Sequence, residues 1–369
     1  MIPVNEPVLG EREKELLSAC IDSGWISSEG PFVKQFENEM ASKVGRKYGI
    51  AVSNGSAALD AAVGALELGP GDEVILPALT IISCVAAVVR AGAVPALVDC
   101  DRHTWNMDAN QIEAKITPKT KAIMAVHLYG LPVDMEPVIK LAEKHGLKVI
   151  EDAAEAIGLD YKGRPCGSFG DLSILSFYSN KHVTTGEGGM VLTDDGSLAV
   201  RCRALRNLCF QPQKRFVHED LGWNFRMSNL QAAVGIAQLA RLDESIRKKR
   251  EMGMRYTQKV EDINSIQLPL EKTDYAENIY WVFGLVLEDK VPFDAGEAML
   301  KLKEKGIGTR PFFWPMHRQP VFHKKGLFSG ETYPVAERLA DRGFYLPSGL
   351  GLTADQIDTV CRAVREVMA

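Results

Sequence analysis

An α/β fold with a mainly parallel sheet flanked by helices, followed by a smaller C-terminal α/β domain, is what the sequence predicts. Two observations predict it. From about residue 46 short apolar runs alternate with longer amphipathic ones, the pattern of strand–helix–strand units whose sheet is covered on both faces. Past residue 252 the alternation gives way to a sparser mixture of one strand and two amphipathic helices. A chain of 369 residues is long enough for two domains, or for one large domain with an appendage.

Taken in order, 48–53 (YGIAVS) reads as a strand and 56–68 as a helix by spacing and composition. A strand at 72–77 leads into a helix over 83–92 that ends at a glycine. Further strands are expected within 93–99, 120–130 and 146–154, with a helix over 134–146. The runs 172–177 and 190–193 read as two more strands around a glycine-rich turn. One long helix is expected over 228–252, acting as a hinge between a large domain of residues 1–244 and a small one of residues 245–369. The N-terminal segment is free to pack on the smaller domain. That domain holds a strand at 280–287 and helices at 295–306 and 353–368.

Charge and cysteine usage exclude several classes. Lys plus Arg is 43 and Asp plus Glu is 48, a net charge of −5 with no long basic run, which gives no electrostatic reason to expect nucleic acid. Seven scattered cysteines without a CxxC argue against a disulfide framework and against structural zinc, so no metal is expected. The first residues carry charges and no signal-peptide core, and 76–89, the most apolar stretch, is too short to cross a bilayer. A soluble, cytoplasmic protein without a membrane partner is the expectation.

In parallel sheets ligands gather at the C-terminal ends of the strands, and three such ends stand out. Gly55 and Ser56 follow the first strand where a helix begins; free amides and the helix dipole there form a phosphate cradle, or simply a strand-to-helix turn with a serine cap. Asp152 ends what reads as a central strand, and a buried aspartate is costly unless paired or hydrogen-bonded. It either caps a helix or faces a cation such as a pyridinium nitrogen, keeping that ring an electron sink. Lys181 lies between an apolar run and GEGG, as a solvated loop residue or as an amine whose partial burial makes it nucleophilic. Ser176 adds a hydroxyl five residues before it.

The motifs NGSAAL, GDEVILP, HLYG, IEDAAEAIG, GSFGDLSILSFYSNKHVTTGEGGMV and GWNFRMSNLQAAVGIAQL occur in the order found in one family. From end to end the chain resembles the DegT/DnrJ/EryC1/StrS sugar aminotransferases. The resemblance implies the fold type I (aspartate aminotransferase) architecture and pyridoxal 5'-phosphate as cofactor. Lys181 then matches the Schiff-base lysine, Asp152 the partner of the pyridine nitrogen and Glu155 the position near the phenolic oxygen. Gly55, Ser56 and Ser176 match phosphate contacts. Asn224 matches an asparagine that reaches the neighbouring subunit's cofactor, implying a homodimer with shared active sites. Ile81 stands where many members carry an aromatic over the ring; it keeps dispersion and loses π-stacking. His182 is a second departure, expected to pack rather than tune Lys181.

The resemblance further implies transfer of an amino group from glutamate to a nucleotide-linked keto sugar. GWISSEGPFVKQFE, TTGEGGMV and RPFFWPMH look most like members acting on C4 of GDP-4-keto-6-deoxymannose. A UDP- or dTDP-linked 4-keto sugar is the alternative, and a non-catalytic sensor with this fold is the alternative of another class. For the substrate, Lys214 and Arg215 on a loop before Asn224 suit a pyrophosphate or are a solvated basic loop. Arg310 and His317 flank an aromatic loop able to close over the sugar. Trp25 and Ser27 either line the sugar pocket or anchor the N-terminal region.

Overall fold

The computed structural model describes residues 1–211 and 213–368. In the first half of the chain lie β1 (Tyr48–Val52), β2 (Glu73–Pro77), β3 (Val94–Val98), β4 (Thr120–Val126), β5 (Lys148–Asp152), the short hairpin β6 (Asp160–Tyr161) and β7 (Arg164–Pro165), β8 (Leu172–Ser176) and β9 (Gly189–Thr193). Seven of these make one sheet in the order β1-β9-β8-β5-β4-β2-β3. Only β9 runs against its neighbours; the pairings β8–β5, β5–β4, β4–β2 and β2–β3 are parallel. The strands are nearly continuous runs of Val, Ile, Leu, Met and Ala because both faces are covered. Gly55–Ala65, for example, packs on β8 and β9, and its alanines let its backbone lie close to them.

Two boundaries depart from the sequence expectation. The helix expected over 228–252 is two helices, Asn229–Leu239 and Leu242–Val260, broken at Arg241 (φ −106°, ψ 7°). No glycine or proline marks the break. Tertiary bonds hold it: the Arg241 guanidinium donates to Val8 O at 2.8 Å and to Glu13, and Gln238 donates to the same two groups at 2.9 and 2.7 Å. The boundary expected at 244/245 therefore falls in the first turn of the second helix. The strand expected over 280–287 begins only at Phe283, because Tyr280 adopts a left-handed φ of 47° and donates its N–H to the Asn278 side chain at 2.6 Å.

In the C-terminal part β10 (Ile266–Gln267), β11 (Phe283–Leu287), β12 (Arg310–Pro311) and β13 (Gly343–Leu346) form an antiparallel sheet in the order β10-β11-β13-β12. The N-terminus joins it: Gly308 N–H donates to Ile2 O and Ser348 N–H to Val4 O, both at 2.8 Å. The two sheets share a core. Trp105 and Tyr129 pack on Phe312, with ring centres 5.3 and 4.2 Å away, so the small sheet is fastened to the large one by aromatic contacts.

Candidate active site

A cleft of about 500 Å³ opens at the C-terminal edge of the large sheet, beside those aromatics. Its inner end is made by two helix N-termini. Asn54 caps Gly55–Ala65 by accepting the Ala57 N–H at 2.8 Å, and the first amides, on Gly55 and Ser56, have no partner within their own helix. Ser56 Oγ lies 2.7 Å from Ser83 Oγ, in the first turn of the helix Ile82–Arg90. A Cβ on Gly55 would stand 3.0 Å from Ser176 Cβ, so glycine is what lets this turn close against the end of β8. Gly189 does the same from the other side, where a Cβ would come within 2.4 Å of Asn54 O. Of the glycines after Lys181, Gly189 thus lets β9 pack against the helix-starting turn.

Asp152, the last residue of β5, is buried, with Oδ1 accepting the Ala154 N–H at 3.0 Å and Oδ2 the Cys84 thiol at 3.2 Å. Burial raises its carboxyl above the ordinary value. Glu155 sits beside it, Oε2 accepting the Tyr129 N–H at 2.9 Å and Oε1 lying 3.6 Å from Lys181 Nζ. Burial pushes Glu155 up to about 7 and holds the Lys181 amine below its ordinary value, while their mutual attraction opposes both shifts. Lys181 Nζ also stands 4.0 Å above the centre of the Trp281 ring, whose Nε1–H donates to Asn180 O at 3.0 Å. Ile81 lines the mouth of the cleft and is 41% exposed.

The structure brings Gly55, Ser56, Ile81, Asp152, Glu155, Ser176 and Lys181 to this one cleft. The other expected residues lie elsewhere. Arg310 lines an adjoining cavity of about 660 Å³ that shares Tyr178, Asn180 and Tyr345 with the cleft. Trp25 is 49% exposed, Ser27 and Asn224 face outward, and Asn224 Oδ1 accepts from Arg226 Nε at 2.9 Å. Lys214 and Arg215 are on an exposed loop, Arg215 lying over the Phe210 ring at 5.3 Å. His317 corrects an expectation: it is buried, bonded through Nε2 to Glu337 Oε1 at 2.9 Å and packed on Tyr333, and the aromatic loop enters the cleft through Phe313 instead. His182 is buried and faces the core.

Trp281, Tyr345, Phe313 and Ser83 line the cleft and were not singled out in the sequence. Apolar runs hid the aromatics; the only local signal was that YW precedes a strand. Lys249 was missed as well. Its buried Nζ donates to Trp281 O at 2.8 Å and to Ser348 O, and burial, with Lys181 nearby, lowers it to about 7. His127, Glu151 and Cys166 also cluster in the core. There Glu151 accepts from His127 and from the Gly167 and Phe169 amides, while His127 Nδ1 accepts the Val133 N–H, so these donors serve to pin loops to β4 and β5.

Comparison with known proteins agrees with this geometry. The DegT/DnrJ/EryC1/StrS aminotransferase family model matches residues 7–365. The chain is 42% identical over 365 residues to the GDP-perosamine synthase of Escherichia coli O157:H7, covering 99% of this chain and 98% of that one. It is 40% identical to the GDP-perosamine synthase of Caulobacter vibrioides, covering 100% and 98%. Among solved structures, the aminotransferase TlmJ from Streptoalloteichus hindustanus superposes with a TM-score of 0.93 at 30% identity, covering 100% and 98%. The cleft fits the pyridoxal 5'-phosphate such enzymes use: open amides and hydroxyls for a phosphate, a buried carboxylate for a ring cation, and an amine of lowered basicity for an aldehyde. The chain belongs to the DegT/DnrJ/EryC1/StrS aminotransferase family and is a pyridoxal-phosphate-dependent sugar aminotransferase.

Proposed function

We propose that the protein moves the amino group of glutamate to C4 of GDP-4-keto-6-deoxymannose. The observation that carries this reading is full-length likeness to GDP-perosamine synthases, at 42% and 40% identity. Bound pyridoxal 5'-phosphate supplies the electron sink that lets an amino group leave one carbon and later join another. Lys181 would hold the cofactor through its amine and, when that amine is free, would take the proton from the donor Cα. In the second half of the reaction it gives a proton to C4 of the sugar. Glu155, 3.6 Å away, resets the charge of that amine between the halves. Asp152 would keep a positive charge on the ring nitrogen, and Gly55, Ser56 and Ser176 would bind the phosphate, with Ile81 at the mouth of the cleft.

The substrate enters from the adjoining cavity, where Arg310 and Lys303 suit a diphosphate. The outward residues act in a second copy: Asn224 reaches the partner's phosphate site, and Trp25, Ser27, Lys214 and Arg215 complete its sugar-nucleotide wall. Supporting this, Phe216 (81% exposed), Leu221 (90%) and Trp223 are exposed apolar side chains on the same segment, as a homodimer interface would have. The test is to supply glutamate with GDP-4-keto-6-deoxymannose and with its UDP and dTDP counterparts, identifying products by mass and NMR. A 4-amino GDP sugar is expected. Turnover of only a UDP or dTDP sugar would replace the substrate while leaving the chemistry standing.

A further inference from the structure

Asp152 is the most deeply placed charge of the cleft, and what holds its carboxylate is unusual. One oxygen takes a backbone amide, from Ala154. The other takes a thiol, Cys84 Sγ at 3.2 Å, from the first turn of the helix Ile82–Arg90. Cys84 is fully buried, and burial together with the Asp152 charge keeps its thiol protonated, so it is a hydrogen-bond donor and not a nucleophile. Behind it Thr80 Oγ1, also buried, lies 3.3 Å from the same sulfur. A thiol has one proton. With that proton on the Asp152 bond, Thr80 must donate to the sulfur, which fixes the direction of the chain as Thr80 O–H to Cys84 S–H to Asp152 Oδ2.

We infer that Cys84 is a positioning residue for the cofactor site, its thiol, oriented by Thr80, holding the Asp152 carboxylate in place and ionised. Thr80 and Cys84 bracket Ile81, so one turn of chain sets both a ring-covering side chain and the support of the charge beneath it. The donor favours the charged form of a carboxylate that burial alone drives toward neutrality. The other titratable groups facing Asp152 are Lys181, Glu155 and His127. None of them donates a hydrogen bond to it, so removing the thiol leaves Oδ2 without a side-chain donor.

The inference rests on Asp152 as the partner of the ring nitrogen, and the experiment separates the two. Dissociation constants for pyridoxal 5'-phosphate are measured by equilibrium dialysis from pH 5.5 to 8.5 for the full chain and for Cys84→Val, Cys84→Ser, Thr80→Val and Asp152→Asn. Cys84→Val, close in shape and without a donor, is expected to weaken retention about tenfold, with the acid-side loss setting in at higher pH. Cys84→Ser restores a donor and returns retention to within about threefold, and Thr80→Val gives a smaller loss than Cys84→Val. Retention by Cys84→Val equal to wild type, or Cys84→Ser as weak as Cys84→Val, overturns the inference. Should Cys84→Val fail to fold, an unchanged Thr80→Val overturns it in the same way. Asp152→Asn with unaltered retention would instead remove the role assigned to Asp152.

Discussion

The floor of the cleft and the segments expected to wall it are built in opposite ways. The floor is anchored to the ends of elements of the large sheet, with Asp152 on β5, Ser176 on β8, Gly55 and Ser56 at the start of a helix, and Lys181 in the turn that leaves β8. The wall residues Trp25, Ser27, Lys214, Arg215 and Asn224 lie on connecting segments and face away from the floor of their own chain. The first set meets in one cleft of a single chain; the second does not line that cleft. The lesson is that cofactor chemistry is tied to the sheet, where positions are fixed by the hydrogen-bond ladder, while substrate recognition is left to loops and, on our proposal, to a second copy.

Three experiments sharpen or break that contrast, beginning with the largest effect. Lys181→Ala removes the one amine that lines the cleft among the described residues and is expected to lower the single-turnover rate with glutamate by at least about 10³-fold while the protein remains folded. Survival of more than a tenth of the rate would mean that the floor is not where the chemistry happens.

Asn224→Ala comes next, with an expected loss of about tenfold to a hundredfold through a weakened charge-assisted phosphate contact. Mixing it with Lys181→Ala after dissociation and reassociation is the decisive step. If Asn224 serves the partner, a mixed dimer carries one doubly damaged and one intact site, and with about half of the dimers mixed at equal input, activity returns to about a quarter of wild type. Absence of any recovery would return Asn224 to its own chain.

The smallest effect concerns the lysine behind the floor. Lys249 is lowered to about 7 against an ordinary 10.5, chiefly by burial. Between those values the unfolded chain carries a proton that the folded chain has released, so stability rises with pH across the window, by about 1.4 kcal/mol per unit. Urea midpoints from pH 7 to 10 should climb less steeply in Lys249→Met than in wild type. Parallel slopes would show that Lys249 is charged in the fold throughout.

Strand and helix existence was legible between about residues 48 and 193, because a parallel sheet covered on both sides demands apolar runs separated by amphipathic helices; the helices Glu11–Ser23, Pro31–Lys43, Gly196–Arg206 and Pro334–Arg342 and the strands β12 and β13 lie outside that pattern and were not expected. The floor was legible too: strand-end positions and six motifs pointed to Lys181, Asp152, Gly55, Ser56 and Ser176, and these meet in one cleft. Less legible were features set by distant partners. The break at Arg241 depends on Val8 and Glu13, more than 200 residues away in the chain, and nothing local announces it. Trp281 reads as the start of a strand and becomes a surface under Lys181 only because Tyr280 turns left-handed beside Asn278. His317 looked like a polar group for a sugar until Glu337, twenty residues on, came to meet it in the core.

By itself the sequence determined the α/β class, the sugar-aminotransferase family and a set of strand-end residues that meet in one cleft, since periodicity and short motifs encode whatever is decided within one strand–turn–helix unit. Tertiary structure alone decided which aromatics face the amine, that Cys84 supports Asp152 across the cleft floor, and that the expected wall residues of one chain turn outward. Those depend on pairs of groups far apart along the chain, and their burial and hydrogen bonding exist only once the two sheets have closed on each other.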